Sequence, residues 1–339
     1  MGLKNVILFF GIVLIGFDAW TQNHGASFSN TAFKYDEAKG IGHEAGCTRR
    51  DPSDVIKVGD TYYLYYTKVY GRASGYWGTV WYATSKDEGF TWKEQGEILG
   101  TGNEGRFDSQ ATFTPNILYA EGKYWIYYTG VKPTPGNEKG EFENNSSTDI
   151  TAIGVAVSDN PYGPFVRACK DPVLKVSVEP EKFDSYRVDD AALLFRNGLY
   201  WLYYKGRSRI HEKSGPAHTQ MGVAFSRHPK GPFEKLEKPI LSGSHEVMIW
   251  PFNTGVAALA SISSTIEYAA DGIDFTSDKP GMKAVNRPNA PGAFRPDLTH
   301  PLLVGKELQW GISMIHNGPE AYLIRYTYFG GPDSPLLKE

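Results

Sequence analysis

The chain repeats itself. A glycine, one or two residues, an aromatic pair, an apolar residue and a tyrosine pair recur at Gly59–Tyr66 (GDTYYLYY), Gly122–Tyr128 (GKYWIYY) and Gly198–Tyr204 (GLYWLYY). Each copy leads into a second apolar run that closes in a turn: VWYATSKDEGFTW, IGVAVSDNPYGPF and MGVAFSRHPKGPF. Short aromatic and β-branched runs bounded by Gly and Pro read as antiparallel meanders. A spacing of about 60 to 75 residues suits four-stranded blades with long connections. Weaker copies at Val256–Phe275 and Leu302–Phe329 bring the set to five. The expected fold is an all-β, five-bladed β-propeller.

In such a ring the residue just ahead of each innermost strand faces one mouth of the central channel. Asp51 (RRDPSDVIKV), Asp190 (VDDAALLF) and Glu246 (SHEVMIW) hold that position in the first, third and fourth repeats. Three carboxylates from distant sequence should therefore converge. An inverting glycosidase needs such a set: one carboxylate activates water while an acid about 6.5–9.5 Å away protonates the leaving oxygen. A third carboxylate stabilises the charge that develops between them. Glu246 is the ordinary kind of proton donor, whereas His245 beside it is an imidazole that an adjacent carboxylate can hold protonated. Arg49 and Arg50 are placed to hold Asp51 or bind substrate oxygens. Tyr76, Trp77 and above all Trp250 are candidates for stacking on a sugar face. No histidine shows zinc-ligand spacing; His300, ahead of the fifth repeat, is the one candidate for an ion contact.

Composition limits the partners. The 35 basic and 38 acidic residues give a net charge of −3 with no basic block, so no nucleic acid is expected. The opening Met-Gly-Leu-Lys, the apolar run Val6–Phe17 and the polar switch near Gln22 read as a signal peptide. The run is short for a membrane span, so a soluble exported protein, periplasmic or secreted, is expected. The reading divides the chain into a signal peptide (1–22), an N-terminal extension (23–42) and one propeller domain (43–339). Cys47 and Cys169 could pair in an oxidising compartment. Lys139–Asp149, which contains the sequons at Asn144 and Asn145, reads as a loop tip. No cofactor is required, although a structural cation in the channel is conceivable.

The strings GCTRRDP (46–52), YYLYYTK (62–68), WYATS (81–85), Phe113-Thr-Pro, FDSYRVDD (183–190), YYKG (203–206), Ser244-His-Glu and QWGIS (309–313) are together similar to glycoside hydrolase family 117. Those enzymes are exo-acting α-1,3-(3,6-anhydro)-L-galactosidases that trim agar oligosaccharides. The resemblance runs from about residue 40 to the C-terminus. It implies Asp51 as general base, Asp190 as the acid supporting the transition state, and a proton donor in the His245–Glu246 pair, the histidine being the family's donor. The chain departs from the family pattern at Asn116, where a Glu is usual, and at Asp189-Asp190-Ala191, where His-Asp-Pro is usual. Asn116 and Asp189 are therefore candidate substrate contacts that alter the pocket wall, and a second charge beside Asp190 calls for altered tuning or a nearby cation. The family's dimerising N-terminal segment looks truncated, which leaves monomer and dimer both open. The expected activity is removal of a terminal anhydrogalactose-type sugar from red-algal galactan fragments; a propeller of other sugar specificity, or one that only binds carbohydrate, is the alternative.

Overall fold

The computed structural model describes residues 31–71, 77–132, 150–275, 281–300 and 308–330. Residues 1–30, Tyr76 and the 139–149 segment lie outside these, and with them the signal peptide and the sequons.

The described residues are almost wholly β. The first sheet joins Cys47–Arg50 and Ile56–Val58 to Thr61–Tyr70, Thr79–Ser85 and Trp92–Leu99. The second is built on Ala111–Ala120, Lys123–Lys132 and Ile150–Ser158, the third on Arg187–Arg196, Leu199–Arg207 and Gln220–Ser226. An eight-stranded sheet takes in Val247–Phe252 at one end and Asn289–Ala293 at the other. In its middle Thr31–Glu37 pairs parallel with Met282–Val285 and antiparallel with Glu320–Phe329. Thr31–Glu37 thus completes this sheet, so part of the segment read as an N-terminal extension (23–42) belongs to the fold.

The tyrosine pairs explain why the repeat takes its form. Successive strand residues face opposite sides, so each pair serves two purposes. The first tyrosine reaches the turn of the following sheet: Tyr65 donates to Pro161 O (2.5 Å), Tyr127 to Pro229 O, and Tyr203 to Gly272 O (3.0 Å). The second donates to a carboxylate in its own repeat, on a strand for Tyr66 to Glu94 (2.5 Å) and in the turn ahead of the innermost strand for Tyr128 to Asp108 (2.8 Å) and Tyr204 to Asp184 (2.9 Å). All six rings are buried. The glycine after the second and third pairs is also explained, since a Cβ on Gly130 or Gly206 would sit 2.5 Å from the ring of Phe107 or Phe183.

The innermost strands meet at one buried guanidinium, that of Arg295, which Asp297 holds from one side (Nε to Oδ1 2.8 Å, Nη2 to Oδ2 2.7 Å) and Asp54 from the other. Arg295 Nη1 lies 3.4 Å from Asp54 Oδ2, and the guanidinium also donates to Leu193 O (3.0 Å) and Ile249 O (2.7 Å). Asp54 in turn accepts from Ala293 N (2.8 Å) and from Asn116 Nδ2 (3.2 Å). One pair therefore ties the strands that carry residues 54, 116, 193, 249 and 293, and Val55 and Phe294 form a parallel bridge that brings first and last together. Cys47 and Cys169 are both free thiols in this arrangement, Cys47 buried in the first sheet and Cys169 beside Lys230.

Arg295 lies between Asp54 and Asp297, so removing it leaves two carboxylates without their cation. Arg295→Met is expected to cost about 3–5 kcal/mol in urea unfolding, and Asp54→Asn added to it should restore part of the loss. A single variant within 1 kcal/mol of wild type would deny the pair its structural role.

Candidate active site

Above this pair opens a cavity of about 340 Å³. Its lining includes Asp51, Asp190, His245 and Glu246, which come from three different sheets, together with Arg50, Asp189 and Asn116. The expected convergence of carboxylates is present. Four of the innermost strands share one device. Each is interrupted just below the mouth, and the residue at the break adopts a left-handed backbone: Asp51 (φ 47°), Thr114 (φ 44°), Asp190 (φ 52°) and Ala290 (φ 40°). A non-glycine residue held there costs on the order of 1–3 kcal/mol. Register shifts at Phe113/Asn116, Asp189/Ala192 and Asn289/Gly292 mark the same break in three strands.

The fourth position is built differently. The amides of His245 and Glu246 both donate to the Ser261 hydroxyl (2.8 and 3.1 Å), and Ser244 Oγ donates to Glu246 O (2.8 Å). The His245 ring lies with Nδ1 3.2 Å from Thr219 Oγ1. Glu246 faces Arg287 at 3.9 Å.

Charge in the cavity is organised as pairs. Arg50 Nε stands 3.3 Å from Asp51 Oδ2, and its Nη2 donates to Trp77 O. Lys205 Nζ lies 2.6 Å from Asp190 and 3.3 Å from Asp189. The cation called for beside the Asp189–Asp190 pair is thus this ammonium. Burial pushes the Asp51 carboxyl above the usual range; Arg50 and Lys205 oppose this, while Asp190 and Glu246 add to it. Burial likewise pushes Asp189 up to about 7, with Lys205 opposing and Asp190 adding. Among the described residues, no group of three or more His, Cys, Asp and Glu side chains is arranged to hold a metal ion.

Several expected contacts lie elsewhere. Arg49 faces away from the cavity and pairs with Glu44 (2.5 Å) and Glu94 (2.7 Å), because it and Arg50 occupy opposite faces of one strand. Trp250 is buried at 2% exposure among Met248, Leu259 and Tyr326, with its ring edge-on to Tyr328, so it is a core residue and offers no face to a sugar. His300 follows the short 3₁₀ turn Pro296–Leu298, its amide bonded to Pro296 O, and does not line the cavity. Asn116 does line it, but its amide is committed to Asp54 and its Oδ1 accepts from Ile117 N. Asp54, Lys205 and His316 line the cavity and were not singled out from the sequence. Lys205 had a readable signal, since it replaces the threonine that follows the other two tyrosine pairs, Thr67 and Thr129.

Comparison with known proteins agrees with this architecture. Residues 47–191 match the family described as Glycosyl hydrolases family 43. The structure of Zg3597, a family 117 glycoside hydrolase produced by the marine bacterium Zobellia galactanivorans, superposes with a TM-score of 0.74 at 27% identity, covering 88% of this chain and 90% of that one. An endo-arabinase from Bacteroides thetaiotaomicron superposes at 0.52 with 14% identity over 86% and 97% of the two chains, a likeness of fold alone. A xylosidase/arabinosidase of Bacteroides ovatus is 29% identical over 114 residues, which span 34% of this chain and 27% of that protein. The resemblance to family 117 carried by the motifs therefore extends to the whole described fold.

Asp189 supplies a test of these electrostatics through stability. A carboxyl whose folded-state pKa exceeds its unfolded value binds its proton more tightly when folded, so its unfavourable contribution grows as pH rises from about 4 to about 7. Asp189→Asn removes that term. Its melting temperature should gain on wild type steadily across this window, and a difference constant with pH would contradict the buried-acid assignment.

Proposed function

We propose that this chain, a propeller-type glycoside hydrolase similar to family 117, is an exo-acting inverting enzyme that removes a terminal anhydrogalactose-type sugar from agar-derived oligosaccharides. We read the eight-stranded sheet as two blades fused through the N-terminal strand, which makes five in all. The observation that carries the functional reading is the meeting of Asp51, Asp190 and the His245–Glu246 pair in one cavity from three separate sheets. A volume of about 340 Å³ is near the lower end for ligand pockets and suits one or two sugar rings rather than a threaded polymer.

Asp51 takes the proton of the attacking water, and Asp190, on a different innermost strand, faces the positive charge that develops at the anomeric carbon. His245, steadied by Thr219, gives the proton to the leaving oxygen. Glu246, with Arg287 close by, accepts from substrate hydroxyls. The reading rests on chemistry at the cavity and on the family resemblance for the identity of the sugar. Export to the periplasm or medium, by way of the 1–22 segment, is part of the same proposal.

Hydrolysis of a panel of neoagaro-, carrageenan- and arabinan-derived oligosaccharides tests the sugar. Turnover of the neoagaro series alone is expected, and cleavage of arabinan fragments instead would assign another specificity. Asp51→Asn should lower kcat by at least about 10³-fold without lowering the melting temperature, since the change removes a buried carboxylate whose pKa burial raises; substantial residual activity would remove Asp51 from the mechanism. His245→Gln should lose activity on the natural glycoside yet recover much of it on an aryl glycoside whose leaving group needs no proton. Rescue in Glu246→Gln instead would transfer the acid role to that carboxylate.

A further inference from the structure

The strand pair that carries Asp190 differs from its two sister sheets in one respect. Ahead of the break the sisters have Arg50 and Phe113, and this sheet has Asp189; across from it they have Thr67 and Thr129, and this sheet has Lys205. Asp189 and Lys205 are register partners. Consecutive strand residues ordinarily project to opposite faces, but the left-handed φ of 52° at Asp190 turns its carboxylate to the same lysine. One ammonium thus stands 2.6 Å from Asp190 and 3.3 Å from Asp189. Asp51 obtains its cation by another route, from the preceding Arg50.

We propose that Lys205 is a positioning residue for the reaction, clamping the Asp190 carboxylate in orientation and charge, and that Asp189 regulates the clamp by sharing the lysine. The proposal rests on the glycosidase reading of the cavity. A buried cation 2.6 Å from one carboxylate and 3.3 Å from a second divides its interaction between them, so the protonation of Asp189 decides how much of it Asp190 receives. Among the described residues, the other charged or titratable groups facing this set are Arg187 on the same strand, Asp51, Arg50, Asp54 and His316 around the cavity, and Glu246 with His245 at the fourth position.

The two partners should act in opposite directions. Lys205→Met removes a cation that favours the ionised forms of Asp190 and of the base Asp51, so the acid limb of the pH–rate profile moves to higher pH. Asp189→Asn leaves the lysine wholly to Asp190, so that limb moves to lower pH. A residue that only supports packing would move neither.

The test is steady-state kinetics across pH for wild type, Lys205→Met, Lys205→Arg and Asp189→Asn, with carbon NMR titration of labelled aspartate carboxyls in the same four proteins. Lys205→Met is expected to lower kcat about 10²-fold with KM nearly constant, and Lys205→Arg to recover much of that. Acid limbs that do not move, or a loss of rate that merely follows a loss of folded protein in thermal melts, would overturn the proposal. If wild type turns over no oligosaccharide, the glycosidase reading fails. The carboxyl titrations then still decide the clamp, since unaltered aspartate titrations in Lys205→Met overturn it independently.

Discussion

The ion pair between Asp54 and Arg295 is the constraint on which the rest of the molecule depends. Both side chains are buried, and between them they bond to all of the innermost strands. A ring of meanders has no single large core; apolar contact lies between neighbouring sheets, and the axis is left with exposed strand polar groups that burial would penalise. A carboxylate and a guanidinium answer this with fixed bond directions, which oily packing lacks. The pair also sets depth. Asp51, Asp190, Glu246 and Ala290 each stand three residues before the residue on their strand that meets the pair, namely Asp54, Leu193, Ile249 and Ala293. The equal spacing sets the functional groups on one level above a common floor.

That common level explains which parts of the molecule were legible in sequence. The tyrosine repeat announced the meanders because each ring has a fixed partner, the next turn or its own repeat's carboxylate. The acids were legible because the break that lifts Asp51 and Asp190 into the cavity falls at the same point of each repeat. What escaped was direction and distance. Arg49 and Arg50 read alike, yet a strand sends one to Glu94 and the other to Asp51. Trp250 follows Glu246 by four residues and so lies below the cavity floor, in the core. The part played by Thr31–Glu37 depends on pairing with residues some 250 to 300 positions away, for which local sequence has no signal. Lys205 could have been found by asking where the third repeat breaks the pattern of the first two.

The site is a balance of strain and charge. Left-handed residues and buried carboxylates both oppose folding, and the surrounding sheets hold them in place because their own bonds are satisfied elsewhere: Tyr204 with Asp184, Tyr66 with Glu94, Arg295 with Asp54. Each cavity carboxylate has a cation within 3.9 Å, Asp189 and Asp190 sharing Lys205, so the cavity is polar without being strongly charged. A neutral sugar meets hydrogen-bonding groups there, and only the transition state, with its positive anomeric carbon, meets their full field.

The central claim is that the groups from separate strands act on opposite faces of one anomeric carbon, through water and without a covalent intermediate. Proton NMR of the first turnovers on a neoagaro-oligosaccharide reads this directly from the anomeric signal of the released sugar. Initial appearance of the anomer opposite to the bond cleaved is the predicted result, and initial retention of configuration would contradict the account.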